Sequence, residues 1–146
     1  MERRIIIADE KNIYRRYYDE TSLRKIIDCF YKQCARTGEY LGILSDTQDF
    51  VEYGDPTDLR IKNIAFKVHS LRLEGYKSLI ASIEILESPK GIELASNIDS
   101  ICFRSNVWGF LQDDGKVNVE QLISINAINK RLDPFRNVSQ VIDRRI

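Results

Sequence analysis

Hydrophobic residues at helical spacing mark one long helix near the start of the chain. Between Thr21 and Arg36 they recur every three or four residues, at Leu23, Ile26, Ile27, Phe30 and Cys34. This period is typical of an amphipathic helix with one buried face. Either Thr21 or Ser22 is the expected N-cap, because a side-chain oxygen there can accept from the free N–H groups of the first turn. Gly38 lies just past the predicted end.

Elsewhere, hydrophobic and polar residues alternate, which is typical of strands. The clearest case is a predicted hairpin in which Ile61–Glu74 and Ser78–Leu86 pair across a turn at Gly75. A short helix is predicted near Gly91–Asp99, with Pro89 as its first helical residue. Further strands are predicted at Ile5–Ala8, Tyr40–Leu44 and Ile101–Trp108, and around Leu122, Ile123, Ile125 and Ile128.

This succession predicts an α+β fold in which antiparallel strands dominate and about two helices cover them. No internal repeat, low-complexity tract or linker interrupts the pattern. We therefore expect residues 1–146 to form a single domain.

Composition narrows the classes of partner. The chain has 22 basic and 22 acidic residues among its 146, so it has no net charge that favours nucleic acid or an anionic membrane. The longest apolar runs are far shorter than the ~20 residues that a membrane-spanning helix needs. No signal peptide is visible after Met1. Neither nucleic acid nor a membrane is expected as a partner.

Few side chains suit a metal or a cofactor. Cys29, Cys34 and Cys102 have no metal-type spacing, and His69 is the single histidine. We expect no metal site and no cofactor, and we expect the thiols to be reduced and mostly buried.

Five segments carry a resemblance to a known family. In order they are NIYRRYYDETSLRKIIDCF, GILSDT, RLEGYKSLIASIEILESPKGIELASNI, CFRSNV and ISINAINKRLDPF. In this succession the chain resembles the prohead core proteases of tailed phages, of the T-even type, whose fold is related to that of the herpesvirus capsid-assembly proteases. The resemblance implies a mainly antiparallel, barrel-like core with about two helices.

Two of these segments match the family in positions that shape the fold. Asn12, Arg16, Tyr18 and Leu23 match the family's N-x-N-x-R-x-Y-P and the helix after it, while Asp19 stands at the proline. The third segment is the most specific, because it has both the glycine turn of the hairpin and the helix pattern G-x-x-A/L-x-x-x-I.

The resemblance also implies that the catalytic positions of the family are replaced here. GILSDT keeps the glycine and leucine of the family's G-E-L-x-H-P, but Asp46 stands at the histidine that serves as general base. CFRSNV follows G-V-S-S-R-G, with Arg104 at the nucleophilic serine and Ser105 at the second serine. Asn126 stands at the aspartate of the last strand.

These replacements remove the chemistry of a serine hydrolase, which needs a hydroxyl and a base that takes its proton. A guanidinium stays protonated and offers no nucleophilic lone pair. A carboxylate with a pKa near its usual ~3.9 is a poor base for a serine. We therefore expect no catalytic residue. The opposite charges of Asp46 and Arg104 predict an ion pair within about 4 Å; the alternative is that both side chains are exposed and unrelated.

An active protease is the competing hypothesis, with Ser105 as the nucleophile and His69 as the base. Neighbouring strand residues point to opposite faces, so Ser105 should face away from the side of Arg104 unless a bulge intervenes. The alternative interpretation of His69 is that it is a hydrogen-bonded structural residue in a long strand. Cys102 shares the face of Arg104 two residues away, where a buried structural thiol is expected.

A fold whose catalytic residues are replaced keeps its surfaces, so its function becomes binding. The resemblance implies a structural or assembly role in a phage head, with capsid, scaffold or an active protease as partner. It also implies a location in the virion head, or in the host cytoplasm during assembly. A homo-oligomer is compatible with this role, and a host-interaction protein that reuses the fold is a further alternative.

Overall fold

The structure is a computed structural model that describes residues 2–7, 17–45, 63–75, 78–129 and 140–143. Within these ranges the helices are α1 (Glu20–Thr37) and α2 (Pro89–Ser96), and a 3-10 turn at Ile98–Ser100 follows α2. The strands are β1 (Glu2–Ile7), β2 (Leu41–Ser45), β3 (Ile64–Glu74), β4 (Ser78–Ile85), β5 (Ile101–Leu111), β6 (Val117–Asn129) and β7 (Gln140–Asp143).

All of these strands belong to one sheet with the order β1-β4-β3-β2-β6-β5-β7. The β2–β6 and β5–β7 pairs are parallel, and the other neighbours are antiparallel. Strand β1 also contacts β5, because the sheet curls into a half-barrel. The predicted α+β fold with a mainly antiparallel, barrel-like core and two helices is confirmed.

Helix α1 begins before the predicted N-cap. Asp19 has extended backbone, and its Oδ1 accepts from the N–H of Ser22 at 2.8 Å, so Asp19 is the N-cap. The prediction of Thr21 or Ser22 as the cap was wrong, because both lie in the first turn. Ser22 is instead buried and donates its hydroxyl to the Val117 carbonyl at 2.5 Å. Gly38 ends the helix as predicted, in the left-handed conformation with φ 87°.

Polar contacts fix the start of α1 to the turn between β5 and β6. The Tyr17 N–H donates to the Gly115 carbonyl at 3.0 Å, and the Tyr17 hydroxyl donates to Asp114 Oδ2 at 2.7 Å. Lys116 Nζ lies 2.8 Å from Asp19 Oδ2. Asp19 therefore caps the helix and binds the turn at the same time.

The rest of α1 lies beside the first half of β6. The second half of β6 pairs with β2, at Asn126–Ile128. Gln33 Nε2 donates to the Leu122 carbonyl at 2.7 Å, and the Cys29 thiol contacts the Glu120 carbonyl at 3.9 Å. Helix and sheet enclose a common hydrophobic core, which includes Leu23, Ile26, Phe30, Phe66, Val68, Leu71, Phe103, Val107, Leu122 and Ile125.

The predicted hairpin is confirmed. Strands β3 and β4 are antiparallel, and Glu74 lies opposite Ser78 at the turn that contains Gly75. The described part of β3 begins at Ile64, and Ile61, with which the prediction started, lies outside the described residues.

Helix α2 also forms near the predicted position. Ser88 is its N-cap and accepts from the N–H of Gly91 at 3.1 Å, and Pro89 opens the helix as predicted. The helix ends at Ser96, and the predicted end at Asp99 falls in the 3-10 turn that follows.

Two glycines of the matched segments allow elements to approach closely. A Cβ at Gly91 would overlap the backbone carbonyl oxygen of Leu86, so α2 can lie against the end of β4 only with glycine there. A Cβ at Gly42 would overlap the ring of Phe66, which lies across β2. Both positions are therefore explained by packing.

Strand β7 was not predicted. It pairs in parallel with β5, from Asn106 opposite Gln140 to Gly109 opposite Asp143. From sequence alone, the mixed charges around Arg131 to Arg144 favour a solvated face instead. A four-residue strand at the edge of a sheet has too few positions to show a clear alternation, and its pairing depends on a partner more than 30 residues away.

Candidate functional site

Strands β5 and β6 bring together two of the three positions at which the resemblance implies catalytic residues in the family. Arg104 lies directly opposite Asn126 in the antiparallel register, and directly opposite residues share one face of a sheet. On the other side of β6, Ile43 of β2 lies opposite Asn126 in the parallel register. Strand β2 ends at Ser45, so Asp46 follows it directly. Asp46 and the side chain of Arg104 lie outside the described part of the chain, and the predicted ion pair stays a prediction.

The buried side chains of Asn106, Ser124 and Asn126 form a polar layer on this face of the sheet. Asn106 Nδ2 donates to Ser124 Oγ at 2.9 Å, and this pair lies two residues along the same two strands, on the same face. Asn106 and Asn126 are both fully buried. Within the described ranges, Asn106 Oδ1 and both polar atoms of Asn126 have no hydrogen-bond partner. Because most buried polar groups in proteins are paired, these amides make the layer unusual.

Ser105 lies on the opposite face, as the strand alternation predicts. It is fully buried and lies opposite Ile125, which belongs to the hydrophobic core. The bulge closest to it in β5 and β6 falls after Asn106, so the register from Ile101 to Asn106 is regular. A nucleophile at this position would need a substrate to enter the core.

His69 lies on the surface, in the bulge where the β3–β4 register shifts between Val68 and Ser70. Its side chain is 48% exposed, and its Nε2 lies 2.7 Å from Glu84 Oε1. Strands β2 and β6 separate β3 from β5 in the sheet, which is a spacing of roughly 14 Å for three adjacent pairs. The geometry therefore gives no support to a catalytic pair of His69 and Ser105.

Cys102 lies on the same face of β5 as Arg104, and its surroundings are those of a buried structural thiol. It is buried, and its thiol contacts the Ile128 carbonyl at 3.5 Å. Among the residues for which coordinates are described, no group of three or more His, Cys, Asp or Glu side chains could hold a metal ion. Over the same part of the chain, no helix is long and apolar enough to cross a membrane.

A pocket of about 360 Å³ opens beside the polar layer, and the sequence did not reveal it. It lies where the end of α1, the start of β2 and the middle of β5 and β6 meet. Its lining residues are Gln33, Arg36, Thr37, Glu39, Tyr40, Leu41, Trp108, Gln121, Leu122, Ile123 and Ser124. They come from four separate stretches of the chain, and only the single tryptophan, in the middle of a predicted strand, could have drawn attention to it.

Tyr40 is the most buried aromatic residue of this pocket, and its exposure is 6%. Its ring packs against Phe30 with the centroids 5.0 Å apart, and its hydroxyl has no hydrogen-bond partner among the described residues. Burial is the main reason that the pKa of the Tyr40 hydroxyl lies far above its usual range, and the nearby thiols of Cys34 and Cys29 raise this pKa further. The hydroxyl is therefore a neutral donor at any physiological pH.

The fold is similar to that of a known phage enzyme. The solved structure of the bacteriophage T4 capsid assembly protease matches with a TM-score of 0.65 and 20% sequence identity, over 88% of this chain and 80% of that one. At this identity the likeness shows the fold, which is prohead-protease-like as the sequence predicted. No protein-family model matches the chain, and no curated protein matches it.

Proposed function

We propose that this chain is a prohead-protease-like protein that does not cleave peptides and has a structural or assembly role in a phage head. The observation that carries the proposal is the rung of β5 and β6 in which Arg104 lies opposite Asn126. These residues stand at the positions of the nucleophilic serine and the aspartate in the family that the sequence resembles. Their alignment on one face is what a retained fold with an altered site requires.

The chemistry of the two side chains supports the same proposal. A guanidinium is a permanent cation without a lone pair for attack on a carbonyl. A neutral amide cannot stabilise the imidazolium that forms when a histidine accepts a proton, which is the task of the aspartate in a triad. A binding role needs neither group and uses the surfaces that the fold retains.

The phage setting rests on the structural neighbour, which is a capsid assembly protease of bacteriophage T4. We infer that the partners of this chain are head proteins, such as capsid subunits, scaffold or an active protease. The chain would then act in the virion head or in the host cytoplasm during assembly. We further propose that residues 1–146 act as one domain, and that self-association is compatible with this role.

Labelling with a fluorophosphonate probe, followed by mass spectrometry, tests the absence of catalysis. We expect no modification of Ser105, because it lies in the core and its proposed base lies on a distant strand. An active serine protease in the same reaction serves as the positive control for the probe. Stoichiometric labelling of Ser105 that disappears in His69→Ala would overturn the proposal and establish a serine protease.

Incubation of the purified chain with the scaffold and capsid proteins of its phage tests the binding role. We expect the chain to co-sediment with assembling heads while both proteins keep their full length. New fragments in this mixture would show proteolysis. Intact proteins without co-sedimentation would contradict the head role and favour the host-interaction alternative.

A further inference from the structure

We draw no further inference here: the strongest candidate, the pocket between the end of α1, the start of β2 and the middle of β5 and β6, carries nothing, because its buried hydroxyls on Tyr40 and Ser124 are closed to solvent and nothing in the structure shows what occupies it.

Discussion

Asn126 has an amide that is fully buried and that lacks a hydrogen-bond partner within the described ranges at both polar atoms. A buried polar group in this state costs about 1–3 kcal/mol of stability. Leucine has a similar size without polar atoms, so we expect Asn126→Leu to raise the free energy of unfolding by about 1 kcal/mol. Urea denaturation with an unchanged m-value would measure this gain.

The matched control is Asn106→Leu, which lies on the same face of the sheet, two residues along β5 from the partner of Asn126. It removes the donor that Ser124 Oγ accepts from, so we expect a loss of stability rather than a gain. A loss in Asn126→Leu as well would contradict our interpretation of Asn126. It would mean that this amide bonds to a group outside the described residues, and Asp46 would be the first to test.

We also predict an ion pair between the side chains of Asp46 and Arg104. A guanidinium and a carboxylate match in geometry, and they stand at two positions that adjoin in the family that the chain resembles. We expect the single variants Asp46→Ala and Arg104→Ala each to lower stability, by ~3–5 kcal/mol if the pair is buried. Their double variant should lose clearly less than the sum, which a double-mutant cycle measures.

The exposed pair of His69 and Glu84 provides the control cycle for this prediction. It lies on the surface at 2.7 Å, and such pairs typically couple by only about 0.2–1 kcal/mol. Losses at Asp46 and Arg104 that add within about 0.5 kcal/mol would show that the two side chains are independent. A distance between them of more than about 8 Å, one Debye length at physiological ionic strength, would refute the ion pair directly.

At the scale of elements, the start of α1 depends on one carboxylate. Burial raises the pKa of Asp19, but the hydrogen bonds from Lys116 and Ser22 lower it more, so its net pKa lies below the ordinary value. A lowered pKa in the folded state stabilises the protein above the unfolded pKa of ~3.9, and this stability is lost as the pH falls through the folded value. The anchor of α1 should therefore weaken in acid.

Two substitutions of Asp19 distinguish the contribution of its capping hydrogen bond to stability from the contribution of its negative charge. Asp19→Ala removes both, and we expect a loss of about 1 kcal/mol at neutral pH. Asp19→Asn keeps a capping oxygen, so its loss should be smaller, and its stability should approach that of the wild type as the pH falls below about 4. Chemical denaturation across this pH range measures the effect. A constant difference between the Asp19→Asn variant and the wild type at every pH would contradict it, and Glu20→Gln serves as the exposed control.

Elements with long, regular patterns could be predicted, and their ends and partners could not. The spacing of Leu23, Ile26 and Phe30 identified α1, because a helical face spans many residues. The cap at Asp19 was missed, since Asp, Thr and Ser all favour that position and the choice depends on Lys116 and Tyr17 from distant parts of the fold. Strand β7 was missed because its short pattern gains meaning only beside β5.

At the scale of the whole molecule, the order of strands in the sheet brings together residues that no local sequence pattern connects. The parallel pairing of β2 with β6 brings position 43 beside Asn126, and β5 adds Arg104 from the other side. The resemblance named these positions, and their role stays a prediction. The alternation of β5 correctly placed Ser105 on the opposite face. The pocket could not be predicted, because Trp108 and Tyr40 are far apart in sequence and line one pocket only in the folded chain.

This topology also predicts how the chain unfolds. Strand β1 pairs with β4, β2 pairs with β6, and α1 packs on β3 and β6, so N-terminal and C-terminal elements share one sheet and one core. Neither half can unfold without exposing the core of the other, and we expect a single cooperative transition in calorimetry. For 146 residues the enthalpy should be about 100 kcal/mol near 60 °C and equal to the van't Hoff enthalpy. Two resolved transitions would refute the single domain, and a calorimetric enthalpy well above the van't Hoff value would do the same.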